Sequence, residues 1–235
     1  MGTLDASAGR PALLLAAHGT RDPAGPRLLD RLGAEVARAG AVEVRLAYVD
    51  VIEPTVGAAL AGIEGPVVVV PAFLAAGYHV RTDLPRQVAS GGRDDVVIAE
   101  SLGPDPRLVD AVLDRLAAAG CSAGDAVVLA AAGSSDRRAL ADVETARATV
   151  AARVDGPVTV GYAATARPTM PEAVRAARAA GAARVAVASW LLAPGLFQQG
   201  LAEAGADVVA EPLGVHPAVV SALLDRYLAT LSARS

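Results

Sequence analysis

Short, continuously apolar runs alternate along the chain with longer stretches in which apolar residues recur every three or four positions. The first run, 12–17, ends at His18-Gly19-Thr20. Leu28, Leu29, Leu32, Val36 and Ala37 then repeat at helical spacing and predict an amphipathic helix. A strand is predicted over 42–49, a short helix over 54–63 and a strand over 67–72. The last begins with four consecutive valines, the pattern of a strand covered on both faces. A loop over 73–80, a short helix over 82–89, a strand over 96–99 and a helix over 104–119 complete the first half. Apolar strands alternating with amphipathic helices predict right-handed βαβ units and a parallel sheet.

The pattern then starts again. Ala17-His18-Gly19-Thr20-Arg21-Asp22 is similar to Ala131-Ala132-Gly133-Ser134-Ser135-Asp136, and Glu53-Pro54-Thr55 to Arg167-Pro168-Thr169. Phe73-Leu74-Ala75-Ala76-Gly77 has its counterpart in Leu191-Leu192-Ala193-Pro194-Gly195, and Leu102-Gly103 in Leu213-Gly214. Matches in the same order predict two similar Rossmann-like parallel-sheet α/β domains, related by a pseudo-twofold axis and facing each other across a cleft. The expected domains are residues 1–121, carrying the active site, and 122–235, a degenerate repeat. Gly120 and Gly124 fall in the link between them.

Composition narrows the function. With 53% hydrophobic and 20% charged residues the chain can bury a core, which excludes global disorder. Aromatics make up only 3%, so that core is built from Ala, Val and Leu. The net charge of −4 and the lack of a basic stripe argue against a nucleic-acid partner. The uncharged stretch 185–202 carries Pro194, Gly195, Gln198 and Gln199 and falls short of the roughly 20 mainly apolar residues of a membrane span. The run 12–17 is too short for the core of a signal segment. A single cysteine, Cys121, excludes an internal disulfide and a zinc–thiolate cluster, and suits a reducing cytoplasm.

Candidate chemistry follows from topology. In an open parallel sheet, ligands bind outside the carboxyl ends of the strands. His18 follows the first strand, Glu53 the second, and His79 lies in the loop after the third. Their counterparts in the second half are Ala132, Arg167 and Phe197. A scaffold retained without its polar residues points to chemistry in the half that keeps them. Two imidazoles and a carboxylate suit a divalent transition metal. Each also has a plainer explanation: His18 and His79 as surface residues, and Glu53 as an acid favoured at a helix start. His216, before Pro217, is expected to cap the last helix. Arg21, Arg81 and Arg86 near the same edge are candidates for a carboxylate clamp, or else solvated surface arginines. Phe197 and Trp190 are candidates for an apolar wall, against core packing as the commoner fate.

These segments resemble the sirohydrochlorin chelatases, the class II chelatase family. The resemblance runs from Ala12 to Tyr227. It rests on Ala17-His18-Gly19-Thr20-Arg21-Asp22, on Glu53-Pro54-Thr55, and on the run from Phe73 to Pro85 with His79 inside it. It implies a chelatase-like fold with a tetrapyrrole cleft, and metal handling and catalysis by His18, Glu53 and His79. It also implies ATP-independent insertion of Fe²⁺, Co²⁺ or Ni²⁺ into sirohydrochlorin for sirohaem or cobalamin, with no permanent cofactor. Short members form homodimers of one half. This long chain resembles the fused form, so a monomer with one active site is expected. The other readings are a tetrapyrrole or metal carrier, a two-lobed solute-binding protein, and a histidine phosphatase. The last usually reads Arg-His-Gly, where this chain has Ala17.

Overall fold

The computed structural model describes residues 10–233. The outer ends of the two expected domains, residues 1–9 and 234–235, lie outside the described residues. The first half runs β1 (Ala12–Ala17), α1 (Ala24–Gly40), β2 (Val44–Tyr48), α2 (Val56–Ala61), β3 (Val67–Pro71), a π-helical turn (His79–Asp83), α3 (Leu84–Ser90), β4 (Val96–Ile98) and α4 (Leu108–Ala118). The second runs β5 (Ala126–Ala131), α5 (Arg137–Ala151), β6 (Val158–Tyr162), α6 (Met170–Ala179), β7 (Val185–Trp190), α7 (Leu196–Leu201), β8 (Val208–Val209) and α8 (Pro217–Ser232).

Each half forms a four-stranded parallel sheet, ordered β2-β1-β3-β4 in the first and β6-β5-β7-β8 in the second. The α/β class and the repeat are therefore as expected, with adjustments at element ends. The second strand begins at Val44 because Ala41 takes a left-handed conformation and closes α1. The short helix after it begins at Val56, where the Thr55 hydroxyl accepts from the Ala58 N–H and caps the first turn. The fourth helix starts at Leu108, three residues after the capping Asp105.

Side-chain alternation sorts the strands into layers. On β1, Leu13, Leu15 and Ala17 face a large core that also holds Val127, Leu129 and Ala131 of β5. Helices α1, α4, α5 and α8 fill this core between the two sheets. The opposite residues of β1 (Ala12, Leu14, Ala16) pack on Val56 and Leu60 of α2 and on Leu84 and Val88 of α3. Those of β5 (Ala126, Val128, Ala130) pack on Met170 and Val174 of α6 and on Leu201 of α7. All four valines Val67–Val70 are buried, as a doubly covered strand requires.

The halves exchange their last helices. Helix α4 packs on β7 and α5 of the second half, and α8 packs on β3 and α1 of the first. The exchange has pseudo-twofold symmetry: Arg115 donates to the Leu213 carbonyl, and Arg226 to that of Leu102. Tyr227 also donates its hydroxyl to the Pro11 carbonyl at 2.6 Å. Helix α4 was expected to complete the first half. The link from Ala119 to Asp125 is too short to carry it far from β5, and the apolar face of Leu108, Val109, Val112 and Leu116 is buried on the second sheet. Matching contacts recur between the halves, where Gly195 abuts Thr20 and Gly77 abuts Ser134.

Asp105 and His216 hold equivalent places before the exchanged helices. His216 is the expected cap, accepting from the Ala218 N–H through Nδ1 while Nε2 lies 3.0 Å from Asp114. Asp105 is 5% exposed, accepts from the Arg107 N–H, and binds the Arg107 guanidinium through both oxygens, with Arg226 close by. The hydrogen bonds from Arg107 hold the Asp105 carboxyl below the usual carboxylate range. A depressed carboxyl stabilises the fold above its unfolded value, near pH 4, and that contribution fades as pH falls through the lower folded value. Asp105→Asn is therefore expected to cost about 2 kcal/mol at pH 7, with the gap to wild type closing below roughly pH 4. Thermal melts of both proteins across pH check this, and a gap that is constant in pH contradicts it.

Candidate metal centre

The first sheet changes winding direction at its centre. The chain leaves β1 towards β2 on one side, and leaves β3 towards β4 on the other. A 2-1-3-4 order places the ligand crevice at the carboxyl ends of β1 and β3. His18 follows β1 directly, and His79 opens the π-helical turn after β3. Their rings meet edge to face, with centroids 4.7 Å apart and an interplanar angle of 79°. Phe73 lies 6.5 Å from His18 and 6.4 Å from His79, giving both imidazoles an apolar neighbour.

The third member of the group is Asp50, two residues beyond β2. One ligand atom from each of His18, Asp50 and His79 falls within 4.8 Å of the others. Two donors on one ion at bond lengths of about 2.1 Å are at most about 4.2 Å apart, so a small rotamer adjustment suffices to close the set. His18 Nδ1 is 3.1 Å from the Gly19 carbonyl and His79 Nδ1 is 3.2 Å from Asp83, which leaves Nε2 of each ring for a ligand.

Backbone geometry brings Asp50 here. Gly19 has φ +95°, and a Cβ on it would lie 2.3 Å from the Asp50 carbonyl oxygen, so only glycine lets the two loops approach. The Val49 N–H donates to the Ala17 carbonyl at 2.8 Å and the Asp50 N–H to that of His18 at 3.1 Å. Val51 has φ +73°, unusual for a β-branched residue, and donates its N–H to Asp50 Oδ1 at 2.7 Å. The second half keeps the same turn, with Gly133 at φ +95° and Thr165 at φ +61°, but carries Ala132 and Ala164 where the first has His18 and Asp50. The turn therefore belongs to the scaffold, and the polar side chains are an addition in one half.

Glu53, the carboxylate expected from the sequence, lies outside the group whose ligand atoms fall within 4.8 Å of one another. Its Oε2 accepts from the Thr55 N–H at 2.7 Å, which directs it along the loop into α2. Asp50 carries a comparable sequence signal: it too follows a strand, and the repeat has Ala164 in its place. The arginines separate. Arg81 donates to the Ala76 carbonyl at 2.7 Å and lies 3.9 Å from Asp136 of the other half, so it ties the halves together. Arg21 and Arg86 are exposed and make no hydrogen bond or ion pair among the described residues. Trp190 is 2% exposed and belongs to the core, which removes it from the wall of the cleft. Phe197 (43% exposed) and Leu196 (74%) open α7, between the Gly195–Thr20 contact and the hydrogen bond from Gln199 to Asp22. Val51 and Tyr78, neighbours of Asp50 and His79, are also exposed. Burial pushes the Cys121 thiol up, in keeping with an inert residue in the link.

Fold and donors together define a two-lobed parallel α/β protein with one candidate transition-metal centre at the strand ends of its first lobe. Comparison with known proteins carries the assignment further. The CbiX family model matches residues 12–119 and again 126–230, and the chain belongs to the CbiX family. The sirohydrochlorin cobaltochelatase of Methanopyrus kandleri is 30% identical over 135 residues, covering 45% of this chain and 94% of that one. The Methanosarcina barkeri protein of the same name is 28% identical over 120 residues, covering 44% and 92%. Among solved structures, SirB from Bacillus subtilis with Fe³⁺ superposes with a TM-score of 0.80 at 20% identity, covering 94% of this chain and 96% of that one. The CbiX structure described as the terminal enzyme of sirohaem biosynthesis in denitrifying bacteria gives 0.69 at 24%, covering 93% and 98%. At these identities the superpositions show a shared fold.

Among the described residues, no helix is long and apolar enough to cross a membrane.

Proposed function

We propose that this protein is a chelatase that inserts a divalent metal ion into sirohydrochlorin. The observation that carries the reading is the convergence of His18, Asp50 and His79 at the switch point of one sheet, with Ala132, Ala164 and Phe197 at the equivalent positions of the other. The relatives named sirohydrochlorin cobaltochelatase support the same substrate.

The chemistry follows from the donor set. Fe²⁺, Co²⁺ and Ni²⁺ all accept imidazole nitrogen, and a carboxylate lowers the charge carried to the ring. His18, Asp50 and His79 bind the hydrated ion and displace part of its water. The macrocycle gives up two N–H protons as the metal enters, so M²⁺ and the neutral ring yield a neutral metal complex and two H⁺. An imidazole released from the ion has the basicity to accept one of them. The balance requires no nucleotide. Phe73 beside the two imidazoles, with the exposed Val51, Tyr78, Leu196 and Phe197, supplies apolar surface for a flat ring. The guanidiniums of Arg21 and Arg86 are free for its peripheral carboxylates. Glu53 orders the loop beneath Asp50. The fused halves take the place of a homodimer, so the protein acts as a cytoplasmic monomer.

Anaerobic incubation of a catalytic amount of protein with excess sirohydrochlorin and Fe²⁺, Co²⁺ or Ni²⁺, followed by absorbance, tests the reading. Many equivalents of metallated product per chain are expected, above the uncatalysed rate. Saturation at one equivalent would make the protein a carrier.

A further inference from the structure

His79 is held by more than its backbone. The π-helical turn, closed by the Leu84 N–H on the His79 carbonyl, brings Asp83 Oδ2 to 3.2 Å from His79 Nδ1. The other Asp83 oxygen makes a long 3.5 Å contact with Gln87 Nε2, which donates at 2.7 Å to the carbonyl of Val49. Val49 immediately precedes Asp50. The line of contacts thus runs from one candidate donor, His79, to the strand end that carries another. As an isolated ion pair on a half-buried turn, His79–Asp83 would contribute little to stability. Gln87 makes these contacts while its Oε1 is buried without a partner, a cost that a merely structural contact would not offset.

The repeat sharpens this. At the 118-residue offset that relates Phe73 to Leu191, His79 corresponds to Phe197, Asp83 to Leu201 and Gln87 to Gly205. The half that lost the imidazole lost both of its supporters too. The π-helical turn is likewise confined to the half that carries the imidazole, since the counterpart segment is the α-helix Leu196–Leu201.

The geometry points to Asp83 as a positioning residue for metal binding. It accepts the Nδ1 proton of His79, fixes that tautomer, and leaves the Nε2 lone pair directed at the ion, while Gln87 steadies the carboxylate against the end of β2. Carboxylate–histidine–metal arrangements orient the ring and raise its basicity, and their removal lowers metal affinity about 10–100-fold. The inference rests on the reading of His79 as a ligand.

The experiment is titration of the whole protein with Co²⁺, without tetrapyrrole, followed by calorimetry and the visible cobalt bands. Asp83→Ala is expected to raise Kd about 10–100-fold with an unchanged circular-dichroism spectrum. Asp83→Glu is expected to recover part of the loss and Gln87→Leu to show a smaller rise, and in a His79→Ala background Asp83→Ala should add nothing further. Wild-type affinity in Asp83→Ala, with binding weakened in His79→Ala, overturns the positioning role and leaves His79 as a ligand. Wild-type affinity in His79→Ala overturns the ligand reading, and the positioning role with it. Should Asp83→Ala misfold, Gln87→Leu carries the test, and an unchanged Kd there overturns the proposal.

Discussion

His18→Ala is expected to lose nearly all metal insertion, by about 100-fold or more, while the fold and melting temperature stay close to wild type. A change that merely reorients a metal-bound histidine costs about 10–100-fold in affinity, so removal of a donor should cost at least as much. The fold is expected to survive because the same turn already carries Ala132 in the second half, with Gly133 in the same conformation as Gly19. The His18 side chain is exposed, and its hydrogen bond among the described residues is to its own neighbour's carbonyl. Anaerobic metallation kinetics beside a thermal melt check both halves of this expectation. Full activity in the folded variant would remove His18 from the mechanism.

The second large effect separates two carboxylates three residues apart. Asp50→Asn is expected to raise the metal KM about 100-fold, whereas Glu53→Gln should change it by less than about threefold. Both substitutions keep the local hydrogen bond, because an amide oxygen can still accept from the Val51 N–H in one case and the Thr55 N–H in the other. The loop is thereby preserved and only the charge is removed. The KM for sirohydrochlorin should stay near wild type in both variants, since neither group is assigned to the ring. Steady-state kinetics with metal and tetrapyrrole varied separately measure the split. The reverse ranking would return Glu53 to the centre and leave Asp50 as a turn residue.

That pair also shows what a sequence can and cannot reveal here. Strand positions were legible because a doubly covered parallel strand is continuously apolar, as Val67–Val70 are. His18 and His79 were singled out because His18 directly follows β1, His79 lies in the loop after β3, and neither has a histidine counterpart in the repeat. Which acid of the β2–α2 loop lies beside the two imidazoles was not, because that depends on the positive φ of Val51 and the close approach of Gly19 to the Asp50 backbone. Sequence motif favoured Glu53 beside Pro54, and the loop geometry brings Asp50 nearer to the two imidazoles. The helix exchange was hidden for a related reason. The spacing of Leu108, Val112 and Leu116 shows that one face of α4 is buried, but amphipathicity does not name the sheet that covers it. Arg81 looked free in sequence and is engaged in space, because Asp136 comes to it from the other half.

The central claim is that three donors of the first lobe share one metal ion, and cobalt-edge anomalous diffraction from crystals equilibrated with Co²⁺ tests it most directly. One peak per chain is expected, about 2.0–2.2 Å from a nitrogen of His18, a nitrogen of His79 and an oxygen of Asp50, with none at the rim formed by Ala132, Ala164 and Phe197. A cobalt ion bound away from these three side chains, or held through Glu53 with Asp50 uninvolved, would contradict it.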